Sequence, residues 1–312
     1  MLGAALLAIS STYTPTFTMT GGTETTFVSS IDGYTYKVHT FTGWAQPLVV
    51  SGTNVSVDTL FVGAGGDGGG MTTSTSGVIG ATGGGAGGVI YINYSLTTLS
   101  SGTYAVYVSN NGSPERPRIE LNGSAVLSGQ IGGAGGGLTG VNGTISNTPG
   151  DSAGGGGAAT NVTGTKAISV PNYQGGQGYP SATASARRGG GGSGGGWSIS
   201  PQNPNDGTLP GKTATVSIAG SGGNGATIPA GLFASTTLYY SPGGGGGAGT
   251  SGNVGLAGGT GAGAGSSTLT GNPGLANTGG GGGGIYGTIS SSVAYTGGQG
   301  GSGIIKIRYR IA

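Results

Sequence analysis

Acid–base or nucleophilic chemistry in this sequence would have to run through His39, the only histidine, and through eight carboxylates: Glu24, Asp32, Asp58, Asp67, Glu115, Glu120, Asp151 and Asp206. Ser152 follows Asp151 in the run Gly150 to Gly155, but a serine nucleophile needs a histidine base held in place by a third group. His39 instead falls inside an alternating strand pattern, where its ring is expected to be satisfied by a neighbour. The carboxylates are spread singly, so no pair suggests glycosidase chemistry and no cluster suggests a calcium cage. The absence of cysteine excludes thiol catalysis, disulfides and Cys-zinc sites together. Gly211-Lys212-Thr213 ends like a phosphate-binding loop, yet Asp206 stands where that pattern requires its first glycine. The sequence therefore predicts a protein that is not an enzyme and that uses no cofactor and no metal.

Recognition chemistry is better represented. Tyr173, Tyr179, Trp197, Phe233, Tyr239, Tyr240, Tyr286 and Tyr295 lie between runs of glycine. Rings of this kind on rigid loops offer large contact area at low entropic cost. Tyr173, Tyr179, Trp197, Tyr239 and Tyr240 are the candidates for receptor contact, with Tyr239-Tyr240, just before Ser241-Pro242-Gly243, as the expected loop tip. The alternative role for the same rings is to cap and seal the glycine-rich region.

The elements that must carry these residues are set by an unusual composition. Of 312 residues 80 are glycine, only 6% are charged and 34% are apolar. Disordered chains combine low hydrophobicity with high charge, so this chain is expected to fold. A net charge of +2 with scattered Lys and Arg argues against nucleic acid as a partner. The longest apolar run, Leu2 to Ile9, is far short of the ~20 residues that cross a bilayer, so no membrane insertion is expected.

Helical periodicity is essentially missing, and strand patterns gather in the first 130 residues and the last ten. Tyr34, Tyr36 and Val38 share one face, Asn54 to Val62, Val89 to Tyr94 and Thr103 to Val108 read as further strands, and Arg118 to Leu121 is a shorter candidate. Ile305, Ile307, Tyr309 and Ile311 alternate with Lys306, Arg308 and Arg310, predicting a strand with one buried and one wet face. The fold class is thus all-β: a jelly-roll-like β-sandwich from residues 31–130 plus 302–312, with residues 131–301 inserted and residues 1–30 as an N-terminal docking arm.

The inserted region is punctuated by glycine runs, among them Gly189 to Gly192, Gly243 to Gly247 and Gly279 to Gly284. Polyproline II geometry has three residues per turn and no internal hydrogen bonds, so its backbone groups point outward. Only glycine lets such rods approach closely on every side, and their partners then satisfy one another's N–H and C=O groups. A polyglycine II bundle is the expected structure.

Three segments together carry a resemblance: Gly33 to Thr42, Val57 to Gly66, and the ending Gly300-Gly301-Ser302-Gly303-Ile304-Ile305-Lys306-Ile307-Arg308-Tyr309. They resemble the glycine-rich domain family of phage tail and virion proteins, over about residues 31 to 312. The architecture is also similar to the glycine-rich extracellular domain of anaplastic lymphoma kinase receptors, without that group's cysteines, and to tail-fibre adhesins of T-even-like phages. The resemblance implies a virion protein on the particle's outer surface that meets other virion proteins through its N-terminal arm. It further implies a bacterial surface receptor, protein or glycan, as partner, and a homotrimer is one assembly compatible with it.

Overall fold

The computed structural model describes residues 16–70, 78–80, 83–92, 97–110, 115–129, 222, 225–245, 256–257, 259–266, 270–288 and 296–312. Sixteen strands follow in chain order: β1 Phe17–Thr20, β2 Thr23–Val28, β3 Thr35–Phe41, β4 Gln46–Gly52, β5 Val55–Ser56, β6 Asp58–Val62, β7 Val78–Gly80, β8 Val89–Ile92, β9 Thr98–Leu99, β10 Gly102–Tyr107, β11 Arg118–Leu121, β12 Ser124–Ser128, β13 Ala226–Ile228, β14 Leu238–Tyr240, β15 Tyr286–Thr288 and β16 Ile304–Arg310. No α-helix occurs among the described residues.

Two five-stranded antiparallel sheets, ordered β1-β4-β10-β11-β12 and β2-β3-β16-β6-β8, face each other. Period-two patterning explains the packing: Leu48 and Val50 from β4, and Tyr104 and Val106 from β10, point inward to meet Phe41, Phe61, Ile305 and Ile307 of the second sheet. Fully burying one such apolar side chain stabilises the fold by roughly 1.5–3 kcal/mol before chain entropy is subtracted. The β11–β12 hairpin turns at Asn122-Gly123, both at positive φ (52° and 77°), as a two-residue hairpin loop requires.

Strand β16 is central. Ile305 lies opposite Phe41 on β3 and opposite Phe61 on β6, and Ile307 lies opposite His39 and Thr59. The last strand of the chain is therefore inserted between two strands from its first fifth.

Two expectations need correction. Residues 1–30 were expected to form an arm, but β1 and β2 contribute one strand to each sheet, and Phe17 and Met19 are buried in the main core. Phe17 and Met19 alternate with Thr18 and Thr20, so this segment has a core face of its own. Residues 1–15 lie outside the described residues. The second correction concerns the face of β16 expected to be wet, because Arg308 is buried on it. A third layer covers that face: the β13–β14 hairpin brings Ala226, Ile228, Phe233 and Tyr240 onto Val38, Leu60, Val62 and Ile304. The second sheet is thus covered on both sides, which is why all five residues of β6 are buried.

Candidate functional site: a rod of glycine in a ring of six

Rod 279–284 is the hub of the glycine-rich region, and all its residues are buried. Its backbone bonds to six surrounding segments. Gly282 N–H donates to Gly66 O of segment 63–70, and Gly84 N–H of segment 83–88 donates to Gly282 O (3.0 and 2.8 Å). Gly281 and Gly284 donate to Pro242 O and Gly245 O of segment 242–245, and accept from Gly263 and Ser266 of segment 261–266. Gly283 N–H donates to Asn272 O of segment 271–275, and Gly279 N–H to Ser302 O of segment 297–303.

The six neighbours also close on one another. Gly66 N–H reaches Gly85 O, Gly244 N–H reaches Gly84 O, Gly245 N–H reaches Gly263 O, Leu275 N–H reaches Gly261 O, Gly274 N–H reaches Gln299 O, and Gly65 N–H reaches Gly301 O, at 2.8–3.1 Å. Segment 83–88 meets the hub at Gly279 and Gly282, and segment 242–245 meets it at Gly281 and Gly284, the three-residue spacing of a polyglycine II helix. Segments 242–245 and 261–266 run parallel to the hub, whereas 83–88 and 297–303 run antiparallel to it.

Packing this close leaves no room for side chains. A Cβ on Gly280, Gly281, Gly282 or Gly283 would fall well under 3.0 Å from a neighbouring carbonyl oxygen, that of Gly261, Gly84, Gly298 or Ala264 respectively. A few polar side chains add to the backbone bonds: Thr278 Oγ1 accepts from Gly280 N–H of the hub (3.2 Å), and the buried Ser109 Oγ accepts from Ala64 N–H (2.7 Å). Asp67 Oδ1 accepts from Gly300 N–H (2.8 Å), and Asn272 Nδ2 donates to Ala264 O (3.1 Å). Two ring members, 63–70 and 83–88, come from inside the segment expected to be pure sandwich, so the bundle is not confined to residues 131–301.

The expected recognition rings separate into distinct environments. Tyr239 is 60% exposed, whereas Tyr240, next to it on β14, is 6% exposed and belongs to the second core. Strand alternation makes this split unavoidable, so Tyr240 is a seal and not part of an exposed tip. Burial pushes its phenol up to about 12. Tyr239 and Tyr240, with Thr227, Pro242 and Thr260, border a cavity of about 340 Å³ against the outer ring. Tyr173, Tyr179 and Trp197 lie outside the described residues.

The groups with acid–base potential are held structurally. His39 is fully buried, its Nδ1 is 2.8 Å from Gly21 O, and its ring stacks on Tyr309 at 5.7 Å. Burial lowers its pKa, opposed by the Gly21 carbonyl and by Glu24, whose carboxylate lies 3.8 Å away. Asp58 and Arg308 form a buried pair at 2.5 Å on the covered face of β16, and Arg308 also donates to the carbonyls of Gly231 and Leu232. Spacing along the chain gave no sign of this pair. The one available signal was an acid opening a strand that is otherwise uncharged. Among the described residues no group of three or more His, Asp or Glu could hold a metal ion, and no helix is long and apolar enough to cross a membrane.

The family model described as the glycine-rich domain matches residues 40–310, from β3 to the last residue of β16. No curated protein and no solved structure matches the chain. With its first rods, its hub and its closing strand all inside the matched span, the chain belongs to the glycine-rich domain family.

Proposed function

We propose that this protein is a non-enzymatic virion component of a tailed phage, a tail-fibre, tail-tip or surface protein on the outside of the particle, whose glycine bundle holds loops for attachment to a bacterial host. The observation that carries this reading is the closed ring of six segments around one rod. Its cohesion comes mainly from backbone groups, with a few side chains such as Asp67 and Asn272 assisting, so the segments that join the rods are free to vary in sequence without loosening it. A scaffold of that kind suits a surface whose contacts must change while its frame stays fixed. The partners are a bacterial surface receptor, protein or glycan, and other virion proteins reached through the N-terminal residues.

The purely structural alternative, a capsid-decoration or fibre-building subunit without a receptor, draws support from Tyr240, a ring expected at a tip that serves as a core seal. Adsorption separates the two. Purified protein should compete with particles for host cells, and Tyr173→Ala, Tyr179→Ala, Trp197→Ala or Tyr239→Ala should weaken that competition by about tenfold or more. Failure of every variant to change adsorption, or no competition at all, selects the structural reading.

A further inference from the structure

Strand β16 begins where the glycine bundle ends and finishes at the opposite end of the sandwich, beside a cleft of about 580 Å³. The volume is that of an ordinary small-ligand site. Its walls are the turn before β3, the start of β1, the loop after β4 and the last residues of β16. Phe17 and Tyr309 meet edge to face at 4.9 Å and close the inner end between the two sheets.

Four charged side chains line the cleft, Asp32 and Asp58 against Arg308 and Arg310, so the formal charges cancel. Asp58 and Arg308 neutralise each other at the floor. Arg310 lies over the ring of Tyr34 with its guanidinium carbon 3.3 Å from the centroid, and Arg308 lies over Tyr36 at 4.3 Å. Asp32 is pinned by the Tyr36 hydroxyl on one oxygen (2.7 Å) and by the Tyr34 N–H on the other (3.1 Å). The Ser29 side chain also donates to this carboxylate, and of its roughly four acceptor sites at least one stays free to accept. Tyr34 is 41% exposed at the rim, and Thr53 and Asn54 add a hydroxyl and an amide opposite it.

A ligand for such a cleft should carry no net charge, should both donate and accept hydrogen bonds, and should offer a C–H face to an aromatic ring. We propose that this cleft binds a neutral saccharide, with the face of the Tyr34 ring that Arg310 leaves uncovered as its platform and Asp32 accepting from its hydroxyls. Rigid planar groups on strand ends hold such a ligand with little ordering cost, because they are already fixed by their own partners. The site is independent of the bundle rim and of the attachment reading built on it.

Saturation-transfer NMR and calorimetry on the full chain test this, with lactose, maltotriose and diacetylchitobiose as neutral probes and trigalacturonate and a glucosamine trimer as charged controls. At least one neutral probe is expected to bind and the charged controls to bind more weakly. Tyr34→Ala and Asp32→Asn should cut that affinity by about tenfold or more, the ratio that ~1.4 kcal/mol produces. Asn54→Trp, at an exposed position, should block the mouth without touching the core. Absence of binding by all three neutral probes, preference for a charged control, or unchanged affinity in the folded variants overturns the proposal. The readout is saccharide binding by purified protein, so it stands or falls apart from host adsorption.

Discussion

The Asp58 carboxylate and the Arg308 guanidinium meet at 2.5 Å across 250 residues of sequence, on the face of the second sheet that the β13–β14 hairpin covers. Arg308 joins three things at once: the acid on β6, the carbonyls of Gly231 and Leu232, and the ring of Phe233 at 5.5 Å. Removing one partner strands the other charge away from water. Asp58→Ala or Arg308→Ala should therefore cost about 3–5 kcal/mol, whereas the paired change Asp58→Leu with Arg308→Met should cost much less. Urea unfolding of the three variants checks the order. Equal losses in all three would mean that the pair is not isolated from water as its burial implies.

The hub should fail at a single methyl group. Gly282→Ala places a Cβ against the Gly298 carbonyl, a backbone atom that cannot rotate aside, and should destabilise by at least about 1–3 kcal/mol. Hydrogen exchange gives a second measure. The amides of Gly281, Gly282, Gly283 and Gly284 each have a rod partner and should exchange far more slowly than the amide of Asn54 on its exposed loop. Gly282→Ala should erase that protection while leaving β3, β6 and β16 protected.

Adjacent tyrosines should behave oppositely. Tyr240→Ala opens a cavity in the second core and should cost about 3–5 kcal/mol by analogy with buried Phe→Ala changes. Tyr239→Ala, at an exposed position, should stay within about 0.5 kcal/mol of the parent. Thermal melts of the two variants decide this. A large loss at Tyr239 would show that the cavity beside it is part of the core.

Stability should fall at both ends of the pH scale, for different residues. Burial comes first in raising Tyr36, Tyr91, Tyr240 and Tyr309 from 10.0 to about 12. The unfolded chain then gives up these protons before the folded one, so their contribution is intact below pH 10 and is lost as pH rises towards 12. For His39 the folded pKa lies below 6.5, because burial disfavours the imidazolium. The unfolded chain takes up that proton first, so stability is intact above pH 6.5 and drains away as pH falls through the folded value. Urea midpoints across pH should show both declines, and His39→Gln should flatten the acidic one.

Much of the frame was legible because strands advertise themselves with a period of two. Ile305, Ile307 and Tyr309 are buried as their alternation predicts, and β3, β6, β8, β10 and β11 lie where apolar alternation placed them. The same pattern misled for Lys306, Arg308 and Arg310. Alternation tells which residues share a face, but only the β13–β14 hairpin decides whether water reaches it. Asn122-Gly123 is a local signal of the β11–β12 hairpin, whereas Phe17 and Met19 give only two apolar positions, too short an alternation to mark a strand. The presence of rods followed from glycine content. Their arrangement could not, because glycine runs carry no side chains to say which run lies beside which. Tyr239 and Tyr240 show the same limit: the strand pattern splits them, but only the tertiary packing shows which of the two is buried.

The order in which the ring is completed has a consequence for synthesis. Segments 63–70 and 83–88 leave the ribosome long before rod 279–284, and segment 297–303 follows later still. Until the hub arrives, the early rods have backbone donors and acceptors with no permanent partner, and contacts at such sequence separation form slowly. β16 arrives last of all and must slot between β3 and β6, strands that cannot complete their sheet without it. Folding is therefore gated by the arrival of the hub and of β16. A nascent chain released before Gly279 has a rim without a hub and a sheet open at its centre, the kind of species that self-associates, and it should depend on chaperones for its solubility.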